Sequence, residues 1–127
     1  MYRVEVRHKK DFTFTVKSGD HEFTVDAKGK DGVAPPDVLL ASLGSCIGVY
    51  IRKYTEGAKL LLEGFCVKVE ADFCKEPPAS FKAIYVSVDL QGLALDERRK
   101  IALTEFVKNC PVHHTLKGSP EVTITIG

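Results

Sequence analysis

Apolar and polar residues alternate at Tyr2, Val4 and Val6, again at Phe12, Phe14 and Val16, and again at Phe23 and Val25. A period of two is that of half-buried strands, whose successive side chains point to opposite faces. Ser18-Gly19-Asp20 is turn material between the last two runs, so the chain opens as an antiparallel meander. A polar loop, Lys28-Gly29-Lys30-Asp31-Gly32, then leads to Pro35-Pro36-Asp37, a helix start. Proline is tolerated in the first helical turn, and an acid there suits the positive end of the dipole. From Val38 to Ile51 there is no charged residue, so this helix is apolar nearly all round. It is too short to span a bilayer, which leaves burial in protein. Ala41, Gly44, Ser45 and Gly48 recur along one side. Each interior glycine costs about 1 kcal/mol relative to alanine, a cost that a close helix-helix contact through the small residues would offset.

The helix ends after Glu56-Gly57. Phe65, Val67, Val69 and Ala71 then alternate as a strand, Lys75-Glu76-Pro77-Pro78 is a loop, and Ile84, Val86, Val88 and Leu90 form a second strand that pairs with the first as a hairpin. Asp96 is positioned to cap a second helix in which Leu103, Phe106, Val107 and Cys110 share a face. Pro111 ends that helix, with Cys110 on its apolar side, and Val122, Ile124 and Ile126 read as a final strand. The expected architecture is α+β, one domain over residues 1–127, with antiparallel sheet and two main helices, one a buried central helix carrying Cys46.

Charge narrows the function. Eighteen basic and seventeen acidic residues leave a net +1, so no strongly basic face is available to track nucleic acid. The charged, alternating N-terminus lacks the apolar core of a signal peptide, and no segment reads as membrane-spanning. The expectation is therefore a cytoplasmic, reducing compartment. There, cysteines are core, metal-binding or catalytic more often than disulfide-bonded. Four are present, Cys46, Cys66, Cys74 and Cys110. Cys66 and Cys74 have no neighbour that would lower a thiol pKa and read as small hydrophobes. Cys46 and Cys110 lie on apolar helical faces whose mutual packing would bring them together. Cys110 is also followed by Pro111-Val112-His113-His114-Thr115, two imidazoles and a hydroxyl close to a thiol. Cys110, His113 and His114 could be part of a zinc site, but four ligands are needed and no second close-spaced pair is present. The same imidazoles could instead tune a thiolate or simply be solvated.

Two segments carry a resemblance over essentially the whole chain. Pro35-Pro36-Asp37-Val38-Leu39-Leu40-Ala41-Ser42-Leu43-Gly44-Ser45-Cys46 resembles the helix of the OsmC/Ohr family, in which a Pro-acid-Leu-Leu start leads through small residues to a cysteine. Cys110-Pro111-Val112-His113-His114-Thr115-Leu116 resembles that family's second signature, Cys-Pro-Val followed by Thr-Leu. The resemblance implies an OsmC-like fold, an intertwined homodimer and a thiol peroxidase that reduces organic hydroperoxides. In it, Cys46 would be the peroxidatic thiolate and Cys110 the resolving thiol, joined in a disulfide after turnover. It implies no bound cofactor and no metal, only an external dithiol or lipoyl-type reductant. Where the best-characterised branches carry a glutamate that holds an activating arginine, this chain has Pro36, with Asp37 beside it. Asp37 and His113 are the candidate supporting residues. The candidate cations are Arg3, Arg7 and Arg52, none aligned with the family's arginine. The alternative from another class is a non-catalytic or redox-sensing dimer that binds a small apolar or thiol-reactive ligand.

Overall fold

The structure, a computed structural model, describes residues 1–127 and falls into two compact units, residues 1–41 and 42–127. In the first, β1 (Glu5–Lys10), β2 (Thr13–Ser18) and β3 (His21–Asp26) form an antiparallel sheet in sequence order, as the alternation predicts. The turn from β2 to β3 rests on Gly19, whose φ of 59° belongs to the left-handed region that glycine enters without steric cost. After β3 the Asp26 carboxylate accepts backbone N–H bonds from Lys28 and Asp31, each at 2.9 Å, and from Lys30 at 3.3 Å. These bonds hold its pKa below the ordinary 3.8. Gly32 has no room for a side chain, because a Cβ there would run into the carbonyl oxygen of Thr24.

The half-burial expected of the first strand is absent. All six residues of β1 are exposed, and Val4 and Val6, with Phe14, Val16 and Phe23, line an open apolar groove of about 410 Å³. Within its own unit this sheet has nothing to bury that face against.

Helix α1 (Pro35–Gly57) begins in the first unit and supplies the core of the second. Its buried residues, Leu43, Ile47, Ile51 and Thr55, recur every four positions on one stripe. Leu39 and Val49 remain exposed, so burial is one-sided where the uncharged sequence predicts it all round. The Thr55 hydroxyl is satisfied inside the core by donating to the Arg52 carbonyl at 3.2 Å. The stripe packs on a hairpin of β4 (Cys66–Cys74) and β5 (Ser80–Asp89), paired antiparallel from Cys66 opposite Asp89 to Cys74 opposite Ser80. On β4, Val67, Val69 and Ala71 turn inward while Lys68, Glu70 and Asp72 are exposed. Within this chain Gly44 and Gly48 of α1 face this hairpin and the residue that leads into it, where the sequence predicts a helix. A Cβ on Gly44 would lie 3.0 Å from the Val69 Cγ2 methyl, and one on Gly48 would lie 3.5 Å from the Phe65 ring. The glycines let a helix sit close on a sheet.

Helix α2 (Glu97–Val107) starts as predicted, with the Asp96 carboxylate accepting the Arg99 N–H at 2.8 Å. It closes the core with Leu103, against which Val107 and Leu95 also pack. Its end differs from expectation. The helix stops at Val107, and a third helix, α3 (Pro111–Gly118), follows, so Pro111 starts a helix instead of ending one. The residue before a proline is driven to extended ψ, and a proline with its φ preset suits the first helical position; Cys110 has ψ 127°. The final strand is also absent. Val122, Ile124 and Ile126 are 76, 80 and 94% exposed and belong to no strand, because no other strand of this chain pairs with them. No helix is long and apolar enough to cross a membrane.

Candidate functional site

Cys46 sits on α1 next to Ile47, at the flank of the buried stripe. It is half-buried and packs against the core cluster of Leu43, Ile47, Ile51, Leu103 and Cys110. Cys110 arrives from the α2–α3 connection and is the N-cap of α3, fully buried. Its sulfur accepts the backbone N–H of His113 at 3.5 Å, one of the donors that a helix start leaves without a carbonyl partner. The two thiols are neighbours in this core, Cys46 packing against the cluster that contains Cys110 and raising the Cys110 pKa. Both are free, with no disulfide between them.

Burial pushes the Cys110 thiol above its ordinary 9.0, and the neighbouring Cys46 side chain pushes it further. The amides of His113 and Val112 pull the other way without prevailing. Burial and its neighbour therefore hold Cys110 toward its protonated form. Packing of apolar faces, the reason for expecting these cysteines together, does unite them. The second comes from the start of α3, however, and not from the end of α2. The signal that could have placed it there is the Cys-Pro step itself, since an extended residue before proline is also the conformation of an N-cap.

The other candidate residues are placed as follows. His113 is half-buried, with its imidazole pKa lowered by burial and then by His114, Lys117 and Lys108. What it gives Cys110 is its backbone amide. No group of three histidines, cysteines or acids is arranged to hold a metal ion, so the zinc alternative has no ligand set. Asp37 is exposed in the first turn of α1, where its charge complements the helix dipole. Arg7 pairs with Glu5 at 2.7 Å, Arg3 is exposed, and Arg52 donates to the Thr55 hydroxyl at 3.2 Å. Cys66 and Cys74 lie at the two ends of β4.

Sequence reasoning did not find the cavities. Two grooves of about 510 Å³ each share Ile47, Ile84, Val86 and His113. Leu90 and Leu103 extend one, edged by Lys100 and Lys108; Leu43 and Leu116 extend the other, edged by Lys82 and Lys117. Apolar walls therefore meet the core beside the residue that follows Cys46 and the one that holds Cys110.

The sequence model of OsmC-like proteins matches residues 26–125, a span that includes both cysteines and their flanking motifs. The chain belongs to the OsmC family. No curated protein sequence matches this OsmC-like chain, but solved structures do. It is similar to an OsmC-like protein from Mycoplasma pneumoniae, with a TM-score of 0.80 and 20% identity over 93% of this chain and 88% of that one. The OsmC organic hydroperoxide resistance protein of Legionella pneumophila gives a TM-score of 0.68 at 18% identity, over 93% of this chain and 91% of that one. The organic hydroperoxide resistance protein OhrB of Bacillus subtilis gives 0.66 at 17%, over 92% of each. At these identities the likeness is one of fold, and the mixed α+β OsmC arrangement expected from the sequence is the one found.

Proposed function

We propose that this OsmC-like chain is a two-cysteine, thiol-dependent peroxidase that reduces organic hydroperoxides. The observation that carries this reading is the packing of Cys46 and Cys110, two free thiols, into one core by α1 and the start of α3. The hydroperoxide resistance proteins of the same family support it, as do the apolar grooves beside Ile47 and His113, which suit an organic peroxide better than hydrogen peroxide.

The Cys46 thiolate attacks the terminal oxygen of the hydroperoxide. The O–O bond breaks, the alkoxide takes a proton and leaves as alcohol, and Cys46 becomes a sulfenic acid. The Cys110 sulfur then attacks the Cys46 sulfur, the S–S bond forms, and the departing hydroxide takes the Cys110 proton and leaves as water. Both electrons given to the peroxide are now missing from the sulfur pair, and an external dithiol of the lipoyl class returns them by thiol-disulfide exchange. His113 supports the site by fixing Cys110, and Asp37 by steadying the start of the helix that carries Cys46. Such chemistry requires a reducing compartment, which is the reason for placing the protein in the cytoplasm. The assembly proposed is an intertwined homodimer. The exposed apolar face of β1–β3 and the unpaired alternation at Val122, Ile124 and Ile126 are the surfaces a second copy would cover.

The test is consumption of cumene hydroperoxide with dihydrolipoamide as the electron source. The proposal expects catalytic turnover that disappears in Cys46→Ser. Peroxide loss no faster than that caused by the dithiol alone would favour the alternative, a redox-sensing or ligand-binding dimer, to which Pro36 in place of the glutamate also points.

A further inference from the structure

The two grooves that share Ile47, Ile84, Val86 and His113 differ at their rims. On the α2 side, Lys100 pairs with Glu97 at 3.7 Å and Lys108 with Glu105 at 3.0 Å, so each charge is offset by an acid on its own helix. On the α3 side the charges are Lys82 and Lys117, both exposed. No acid lines that groove, and neither lysine makes an ion pair. Local structure sets both positions. The alternation of β5 puts Lys82 on the face of Ile84 and Val86, the face that packs on α1, at the end of the strand near the hairpin loop. Asp72, opposite Ala83, belongs to the other face and accepts the Tyr85 hydroxyl at 3.1 Å. On α3, His113, Leu116 and Lys117 share one side at i, i+3 and i+4.

We propose that the groove between α1, β5 and α3 binds an apolar anion, an aliphatic chain that ends in a carboxylate, with Lys82 and Lys117 meeting the carboxylate at the rim. The chain lies along Leu43, Ile47, Ile84 and Leu116, which offer it no charge and little polarity. At about 510 Å³ the groove falls within the range of small-ligand sites, roughly 300–1,000 Å³. Lysine suits such a rim, because its methylene stem covers apolar wall while the ammonium stays in water and can follow the anion. Binding here breaks no existing ion pair, whereas an anion in the α2-side groove competes with Glu97 and Glu105 for the lysines. An ammonium head would meet two like charges, and a neutral head would gain from neither. The groove floor includes Ile47, the residue after Cys46, so the ligand's apolar body rests on the helix that carries the thiol. The inference concerns binding, and the ligand class holds whether Cys46 reduces peroxides or only senses them.

The test is calorimetric titration of the full chain at low salt with octanoate, octylammonium, octanol and acetate. Octanoate is expected to bind more tightly than octanol or octylammonium, and acetate, which has the charge without the chain, to give no measurable binding. The Lys82→Gln, Lys117→Gln variant is expected to weaken octanoate about tenfold, the scale of two exposed ion pairs, and to leave octanol unchanged. Lys100→Gln, Lys108→Gln alters the other groove by the same chemistry and is expected to leave octanoate unchanged. All four substitutions are of exposed side chains, so the variants keep the fold, which circular dichroism checks. Absence of octanoate binding, equal affinity for the three octyl compounds, or an equal loss in the Lys100, Lys108 variant overturns the inference. So does a change of sedimentation coefficient in the Lys82, Lys117 variant in a protein that ignores octanoate, which would assign the groove to a second copy of the chain. A protein that binds octanoate and reduces no peroxide sinks the peroxidase reading alone; an active peroxidase that ignores octanoate sinks this inference alone.

Discussion

The chain places two cysteines where helices meet and two on a single strand, and the contrast shows that surroundings decide what a thiol can do. Cys46 and Cys110 lie far apart in sequence and pack in one core, one half-buried and one fully buried, with a backbone amide aimed at the second. Cys66 and Cys74 are close in sequence and cannot meet. They open and close the nine-residue strand β4, and at about 3.3 Å per residue its ends are roughly 26 Å apart, well beyond the ~7 Å Cα limit for a disulfide. Cys66 is exposed opposite Asp89, and Cys74 is half-buried opposite Ser80. Neither has an amide or a second thiol aimed at it. Four residues of one type thus divide into a packed pair, reactive under the proposed function, and two that stand apart.

The largest effect should come from Cys46→Ser, which is expected to bring peroxide reduction down to the rate without protein, a loss of several orders of magnitude readable in a peroxide assay. Cys110→Ser should still consume a first equivalent of peroxide but lose turnover, with Cys46 passing to sulfinic acid under excess oxidant, a gain of two oxygens on its peptide by mass spectrometry. Next is the packing that holds the pair in place. Gly44→Leu forces a side chain against Val69, and overpacking of this kind costs about 1–3 kcal/mol, measurable by urea unfolding; a stability equal to that of the parent would mean that α1 does not sit on β4 as described.

A smaller effect concerns His113. Its folded pKa lies below the ordinary 6.5, so the folded state favours the neutral ring. The stability this provides is present above pH 6.5 and is lost as pH falls through the lowered value. The fall in melting temperature between pH 7.5 and 5.5 should be shallower in His113→Gln. The smallest effect should be that of the Cys66→Ser, Cys74→Ser double variant, within about 0.5 kcal/mol of the parent at each site and unchanged in activity. Activity lost there would erase the contrast between the two pairs.

Much of this was legible in the sequence, for identifiable reasons. The alternations at Phe14, Val16, Phe23 and Val25 and at Val67 and Val69 mark strands because the period of two survives any packing. Asp96 marks a helix start because its carboxylate meets an amide left over at the first turn. What failed depended on partners that sequence does not name. Val122, Ile124 and Ile126 have the pattern of a strand and pair with no strand of this chain. Gly44 and Gly48 were right as a sign of close approach and wrong about what approaches, since small residues accommodate a valine and a phenylalanine as readily as a second helix. After Cys110 the proline is as good a helix start as a helix stop, because its preset φ suits the first helical position. The helix it starts turns a buried cysteine into a cap.

The central claim is that Cys46 and Cys110 act as one redox unit, and a single-turnover experiment tests it most directly. Reduced protein is mixed with one equivalent of cumene hydroperoxide, and its disulfides are mapped by mass spectrometry. The account predicts rapid loss of one peroxide per subunit, one cumyl alcohol formed, and a disulfide joining residues 46 and 110 while Cys66 and Cys74 stay reduced. A reaction no faster than that of a free thiol, or oxidation that falls on Cys66 or Cys74 instead, would contradict it.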